Sequence, residues 1–150
     1  MAYQLHPSVL DDLGLQVALR SHCSELSKRD GLNITFNARG IPESLPQDVA
    51  LSLYRIAQEA LRNVMKHSHA KQASVTLEKV KDGIRLSVRD HGVGFDPEAI
   101  KGKRGLGLVS IEERVRLLSG QLQFHSRPGE GTQVEVTIPV SSPGGTGPKT

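Results

Sequence analysis

The sequence predicts an α/β chain, a two-layer sandwich whose mixed, mostly antiparallel sheet is covered on one face by helices. Two observations carry this. The periodicities run helix, strand, helix, two strands, glycine-rich loop, helix, two strands, so helices and strands do not alternate as they would in a doubly wound sheet. Two strand pairs are also joined by short turn segments, Asp82-Gly83 and Pro128-Gly129-Glu130-Gly131, which makes their ladders antiparallel.

The elements follow in order. Ser8 to Asp30 carries Val9, Leu10, Leu13, Val17, Leu19, Cys23 and Leu26, mostly at helical spacing, with Gly31 as a stop. Leu32, Ile34, Phe36 and Ala38 alternate, as a half-buried strand requires. Gly40 to Pro46 is a loop. Gln47 to Ser68 reads as one long helix with Val49, Leu53, Ile56, Ala57, Ala60 and Val64 on a broad apolar face. Lys71 to Val80 and Gly83 to Asp90 alternate on either side of Asp82-Gly83. Gly92 to Gly107 is too glycine-rich for a regular element. Leu108 to Leu118 is helical and closed by Gly120, and Gln121 to Ser126 and Gln133 to Val140 are strands. The last ten residues, from Ser141, are expected to be a disordered tail.

Composition narrows the class. The 150 residues suit one domain with a substantial core. Aromatics are scarce: no Trp, two Tyr and three Phe. The net charge of +3 comes from scattered Lys and Arg, and base-stacking platforms need more aromatics, so nucleic acid is not an expected partner. No apolar run reaches the ~18 residues of a membrane span, and no signal peptide is visible after Met1. Cys23, the only cysteine, falls in an apolar helical pattern and reads as a small buried hydrophobe. A cytoplasmic location is expected, in a parent protein that could be membrane-anchored elsewhere.

Four segments carry candidate chemistry. Glu59, Asn63 and His67 recur every fourth residue and form a stripe bordering the apolar helix face, with Lys66 between the last two. Taken alone, that stripe is a solvated helix face. Ile84, Leu86, Val88 and Asp90 share parity, so Asp90 continues an inward row, where a carboxylate needs a partner. Gly92 and Gly94 beside it permit close backbone approach. An acid so placed can accept a hydrogen bond from an adenine amino group, although an ordinary Asp-containing turn accounts for it equally well. Gly102, Gly105 and Gly107, interleaved with Lys101, Lys103 and Arg104, enter a helix whose free N–H groups suit phosphate; neither a Walker A loop nor a Rossmann fingerprint is present. Gly129-Glu130-Gly131-Thr132 makes a tight turn into the last strand.

Together and in order, E-A-L-R-N-V-M-K-H-S, D-H-G-V-G-F, R-G-L-G-L and G-E-G-T resemble the N, G1, G2 and final glycine-threonine motifs of the GHKL ATPase superfamily. The resemblance covers roughly residues 5 to 140. L-H-P-S-V-L-D-D-L-G-L (residues 5 to 15), K-H-S and I-E-E-R-V-R-L-L-S-G narrow it to sensor histidine kinases of the NarX- and DesK-like group. It implies a Bergerat fold, with residues 1–7 a remnant of the linker from a dimerisation domain and 8–140 the ATP-binding catalytic domain.

The resemblance also implies roles. Asp90 would bind the adenine amino group, with Thr132 in the same water network and Gly92, Gly94 and Phe95 around the base. Asn63 would give an oxygen ligand to Mg²⁺. Lys66 and His67 would approach the phosphates of ATP. Arg104, Gly105, Gly107 and Leu108 would close over them, residues 101–104 forming a lid. Glu59 is the candidate catalytic carboxylate, polarising or orienting the nucleophile. The family's phosphoacceptor, a histidine followed by an acidic residue, fits none of the six histidines here. The implied partners are therefore the dimerisation and phosphoacceptor domain of the same parent, a homodimer through it, and a response regulator. The isolated chain would be a monomer that binds ATP with little turnover. Two other readings stand beside this one: an anti-sigma-type serine kinase, and a non-catalytic nucleotide-sensing interaction module.

Overall fold

A computed structural model of the chain describes residues 7–42, 45–68, 70–93 and 108–140, with the side chains of 7–13, 67, 68, 108 and 109 excepted. The elements are α1 (Pro7–Asp30), β1 (Asn33–Arg39), α2 (Gln47–Asn63) continuing into a π-helical turn (Val64–Ser68), β2 (Gln72–Val80), β3 (Gly83–Asp90), α3 (Leu108–Leu117), β4 (Gln121–Arg127) and β5 (Gly131–Pro139).

The five strands form one sheet in the order β1-β2-β3-β5-β4. β1 and β2 pair in parallel and every other pair is antiparallel. The sheet is thus mixed and mostly antiparallel, as the sequence predicts. Alternation along each strand divides its two faces. Val75, Leu77, Ile84, Leu86, Val88, Val134, Val136 and Ile138 are buried on the inner face. Their neighbours along the strands, such as Thr76, Glu78, Arg85, Ser87 and Glu135, are polar and line the outer face. There Arg85 pairs with Glu78 at 3.3 Å and Glu135 at 3.7 Å, a partly exposed network that contributes little to stability.

The helices cover the inner face. α2 packs over β3, α1 over β1 on one side of it, and α3 over β4 and β5 on the other. Leu53, Ile56, Ala57 and Leu61 of α2 are fully buried. Burying each large side chain contributes roughly 1.5–3 kcal/mol, enough to place this helix at the centre of the core.

Four local features differ from the sequence reading. α1 is two helices broken at Gly14, whose φ of 89° no α-helix accommodates. The helix predicted over Gln47 to Ser68 is α-helical only to Asn63. The turn from Val64 onward is π-helical, a form common at functional sites and invisible to an apolar periodicity this short. The β2–β3 turn is Lys81-Asp82, since Gly83 already pairs with Val80 in the ladder. Gly83 is required for space: a Cβ there would run into the Ile138 carbonyl oxygen. Finally, α3 ends at Leu117 and the left-handed residue after it is Ser119 (φ 58°), one position before the predicted stop at Gly120.

Two buried polar groups of α1 report on this packing. Burial pushes the Cys23 thiol up to about 12, so it is inert in the folded chain. His22, edge-on to Tyr54 at 5.8 Å between ring centroids, has its pKa lowered by burial, raised in part by Glu25 and lowered further by Arg29. The unfolded chain therefore takes up a proton that the folded chain refuses. His22 costs no stability above the ordinary imidazole range, and stability falls as pH drops through about 6.5 and below. Two outcomes are expected. A thiol reagent labels Cys23 only on unfolding, and between about pH 7.5 and about pH 5.5 the wild type loses more melting temperature than His22→Leu. Rapid labelling of the native chain, or equal losses, would contradict the packing described.

Candidate functional site

The inner face of the sheet changes character at one end. Beneath, the rows across β2, β3, β5 and β4 are apolar: Leu77, Leu86, Val136 and Leu122, then Val75, Val88, Val134 and Phe124. The last row is Ala73, Asp90, Thr132 and Ser126, which is small and polar. The register itself therefore sets Asp90 beside Thr132, and Thr132 beside Ser126, on the helix-covered side.

Asp90 is 2% exposed. Its Oδ1 accepts the Gly92 N–H at 2.8 Å, and the carboxylate also accepts the Thr132 N–H. Burial raises its pKa. The two backbone bonds and nearby His91 pull the other way. A carboxylate this deep is tolerated because the backbone supplies donors to it.

Glycine makes the approach possible. Gly131 has φ 81°, and a Cβ there would collide with the Asp90 carbonyl oxygen. The neighbouring turn is tied to the loop after β3 by Gly129 N–H donating to the Val93 carbonyl at 2.6 Å. Ser126, buried, donates its hydroxyl to the Gly131 carbonyl at 3.2 Å and lies 2.9 Å from the Thr132 hydroxyl. Sequence reasoning missed Ser126. The parity argument that found Asp90 would have found it, because Leu122, Phe124 and Ser126 share one face of β4.

The chain's path brings the other segments to the same end of the sheet. α2 and its π turn lead within a few residues into the start of β2, whose Ala73 pairs with Asp90. Asn63, half-buried, ends the α-helical part there, and Lys66 is exposed in the π turn. α3 leads through a short turn into Gln121, at the opposite end of β4 from Ser126. Its ten residues span ~15 Å, so its first residue, Leu108, lies back towards the Asp90 end.

Glu59 stands apart from this row. It is half-buried and helps line a cleft of about 490 Å³ across the outside of the helical layer, with His22, Arg55, Arg62, Ser110 and Arg114. After Asn63 the π turn rewinds the backbone, so the regular α-helical spacing that defines the stripe of Glu59, Asn63 and His67 stops there. Gly94, Phe95, Arg104, Gly105 and Gly107, with the lid over 101–104, lie outside the described residues, as do the side chains of His67 and Leu108. Among the described residues no cluster of three or more His, Cys, Asp or Glu forms a self-sufficient metal cage.

Comparison with known proteins gives the family and the fold. The family model for the histidine kinase-, DNA gyrase B-, and HSP90-like ATPase matches residues 48–142. The chain is 35% identical over 140 residues to the signal transduction histidine-protein kinase/phosphatase DegS of Brevibacillus brevis, covering 93% of this chain and 36% of that protein. It is also 35% identical over 144 residues to the sensor histidine kinase MctS of Rhizobium johnstonii, covering 95% and 31%. The chain thus spans about a third of the length of these relatives. Among solved structures, the histidine kinase domain of the blue-light activated histidine kinase of Erythrobacter litoralis EL346 superposes with a TM-score of 0.67 at 25% identity, covering 84% of this chain and 65% of that one.

The Asp90 arrangement predicts a split between two substitutions. Asp90→Ala strands the Gly92 and Thr132 N–H groups, and should cost about 1–3 kcal/mol of folding stability in denaturant titrations. Asp90→Asn keeps an acceptor and sheds the buried charge. At pH 7 it should be at least as stable as wild type, and its advantage should shrink as pH falls through the raised Asp90 range, where the wild-type acid is neutral too. Loss of similar stability in both variants would contradict the hydrogen bonding described.

Proposed function

The chain belongs to the histidine kinase-, DNA gyrase B- and HSP90-like ATPase family, and we propose that it is the ATP-binding catalytic domain of a NarX- and DesK-like two-component sensor histidine kinase. In this reading the γ-phosphate of ATP passes to a histidine in a separate dimerisation domain of the same parent protein. The observation that carries it is a row of acceptors, the buried Asp90 beside the half-buried Thr132, at the end of the sheet to which α2 and the start of α3 also lead.

Each group has work suited to its chemistry. The Asp90 carboxylate accepts a proton of the adenine amino group, and Thr132 shares the water beside it. The backbone at Gly92 turns close against the base. The Asn63 amide oxygen is a neutral ligand of the kind Mg²⁺ accepts, and its remaining positions suit phosphate oxygens and water. Such an ion neutralises charge on the phosphates; the protein's share is to position them. Lys66 approaches the phosphates from the π turn, and the first N–H groups of α3, from Leu108, face their negative charge. Glu59, on the outer flank of α2, would polarise or orient an incoming imidazole that arrives from outside the helical layer. A response regulator would take the phosphate onward from that histidine.

Location in the cytoplasm and dimerisation through that separate domain belong to the same proposal. Among the described residues no helix is long and apolar enough to cross a membrane.

The proposal makes two measurable claims. ATP with Mg²⁺ should raise the melting temperature by mass action, equivalent to about 2.7 kcal/mol at about a hundred times Kd, and Asn63→Ala should remove most of the Mg²⁺-dependent part. A longer chain that includes the dimerisation domain, incubated with γ-labelled ATP, should carry an acid-labile, base-stable phosphate on histidine. Label on serine would favour an anti-sigma-type kinase, and no label with intact ATP binding would favour a nucleotide-sensing module.

A further inference from the structure

We propose that Ser126 is a positioning residue for base selection: it fixes the Thr132 hydroxyl as an acceptor, so that the last inner row prefers a purine with a 6-amino group over one with a 6-oxo group. The inference rests on the nucleotide-binding reading above and adds a residue to it.

A hydroxyl has one proton to give. The Gly131 carbonyl, 3.2 Å from Ser126 Oγ, can only accept, and the proposal gives it the Ser126 proton. The contact between Ser126 Oγ and Thr132 Oγ1 at 2.9 Å then needs its proton from Thr132. The chain of donation runs from Thr132 to Ser126 to the Gly131 carbonyl. Thr132 is left facing the site with lone pairs only. Beside it stands Asp90, whose carboxylate likewise accepts.

Two adjacent acceptors with no hydroxyl proton between them, Asp90 meeting the base directly and Thr132 through the shared water, match a group that brings its own protons. An exocyclic amine has two. A 6-oxo group has none, and it would set its oxygen against the Asp90 and Thr132 oxygens. Ser126 is buried and its hydroxyl is hydrogen-bonded into its own turn, which favours this direction of donation before any ligand arrives.

Removing the serine hydroxyl frees the Thr132 proton. Thr132 can then rotate and donate into the site, which helps an oxo group and costs an amine an acceptor. The test measures Kd for ATP and for ITP, each with Mg²⁺, by calorimetry on the whole chain. ITP keeps the sugar and triphosphate and exchanges the 6-amino group for oxygen.

Wild type should prefer ATP. Ser126→Ala should shrink the ATP-to-ITP preference roughly threefold to tenfold, the worth of one hydrogen bond. Ser126→Thr, which keeps the hydroxyl, should hold it within about twofold of wild type. A purely structural role for Ser126 would weaken both nucleotides alike and leave the ratio unmoved. Should Ser126→Ala fail to fold, Ser126→Cys keeps the volume with a far weaker acceptor and must shift the ratio in the same direction. A wild type that prefers ATP, with a variant ratio equal to it, overturns the role of Ser126 alone. A wild type that binds neither nucleotide, or both equally, overturns the base-recognition reading as well.

Discussion

The buried carboxylate of Asp90 is the constraint around which the rest of the site is arranged. Placing an acid at the inner end of a central strand is unfavourable, and burial pushes its pKa up accordingly. It is tolerated because the chain folds two backbone N–H groups onto it, from Gly92 and Thr132. Each demands something further. The Gly92 bond requires the chain to turn back immediately after β3. The Thr132 bond requires β5 to begin hard against β3, which leaves no room for a side chain at Gly131. The polar last row is a consequence of one residue as much as a collection of four.

Stability and chemistry are therefore separated along the strands. Below the last row the sheet is a conventional apolar layer under α2, and no group there has anything to offer a ligand. At the top the same strands present acceptors, and α2 and α3 bring a helix end and a helix start to them. Connectivity, more than side-chain packing, produces this convergence: α2 feeds β2 and α3 feeds β4, and both strands are aligned with β3 through their neighbours. Glu59 sits on the outer flank of this assembly, lining an arginine-rich cleft.

Much of this was legible in the amino-acid order, and the reasons are physical. Strand parity is a strict period of two, so Asp90 could be put in the inward row from Ile84, Leu86 and Val88 alone. The long apolar face of α2 left little doubt about that helix. What stayed hidden depended on geometry that periodicity does not encode. The π turn at Val64–Ser68 changes the winding without changing which residues are apolar. Gly14 was submerged in a helical pattern that continues on both sides of it. Gly83 looked like a turn residue and is a packing residue. Ser126 is hard to see because β4 has fewer apolar residues to mark its inward parity and lies at the sheet edge.

A double-mutant cycle isolates the proposed direct contact between the Asp90 carboxylate and the 6-amino group of the base. Binding is measured for ATP and for purine riboside triphosphate, which has hydrogen in place of the amino group, with wild type and with Asp90→Ala. The account predicts a coupling energy of about 1.5–3 kcal/mol, as befits a hydrogen bond to a charged acceptor. A coupling near zero, with ATP still bound, would show that the acid and the amine do not meet.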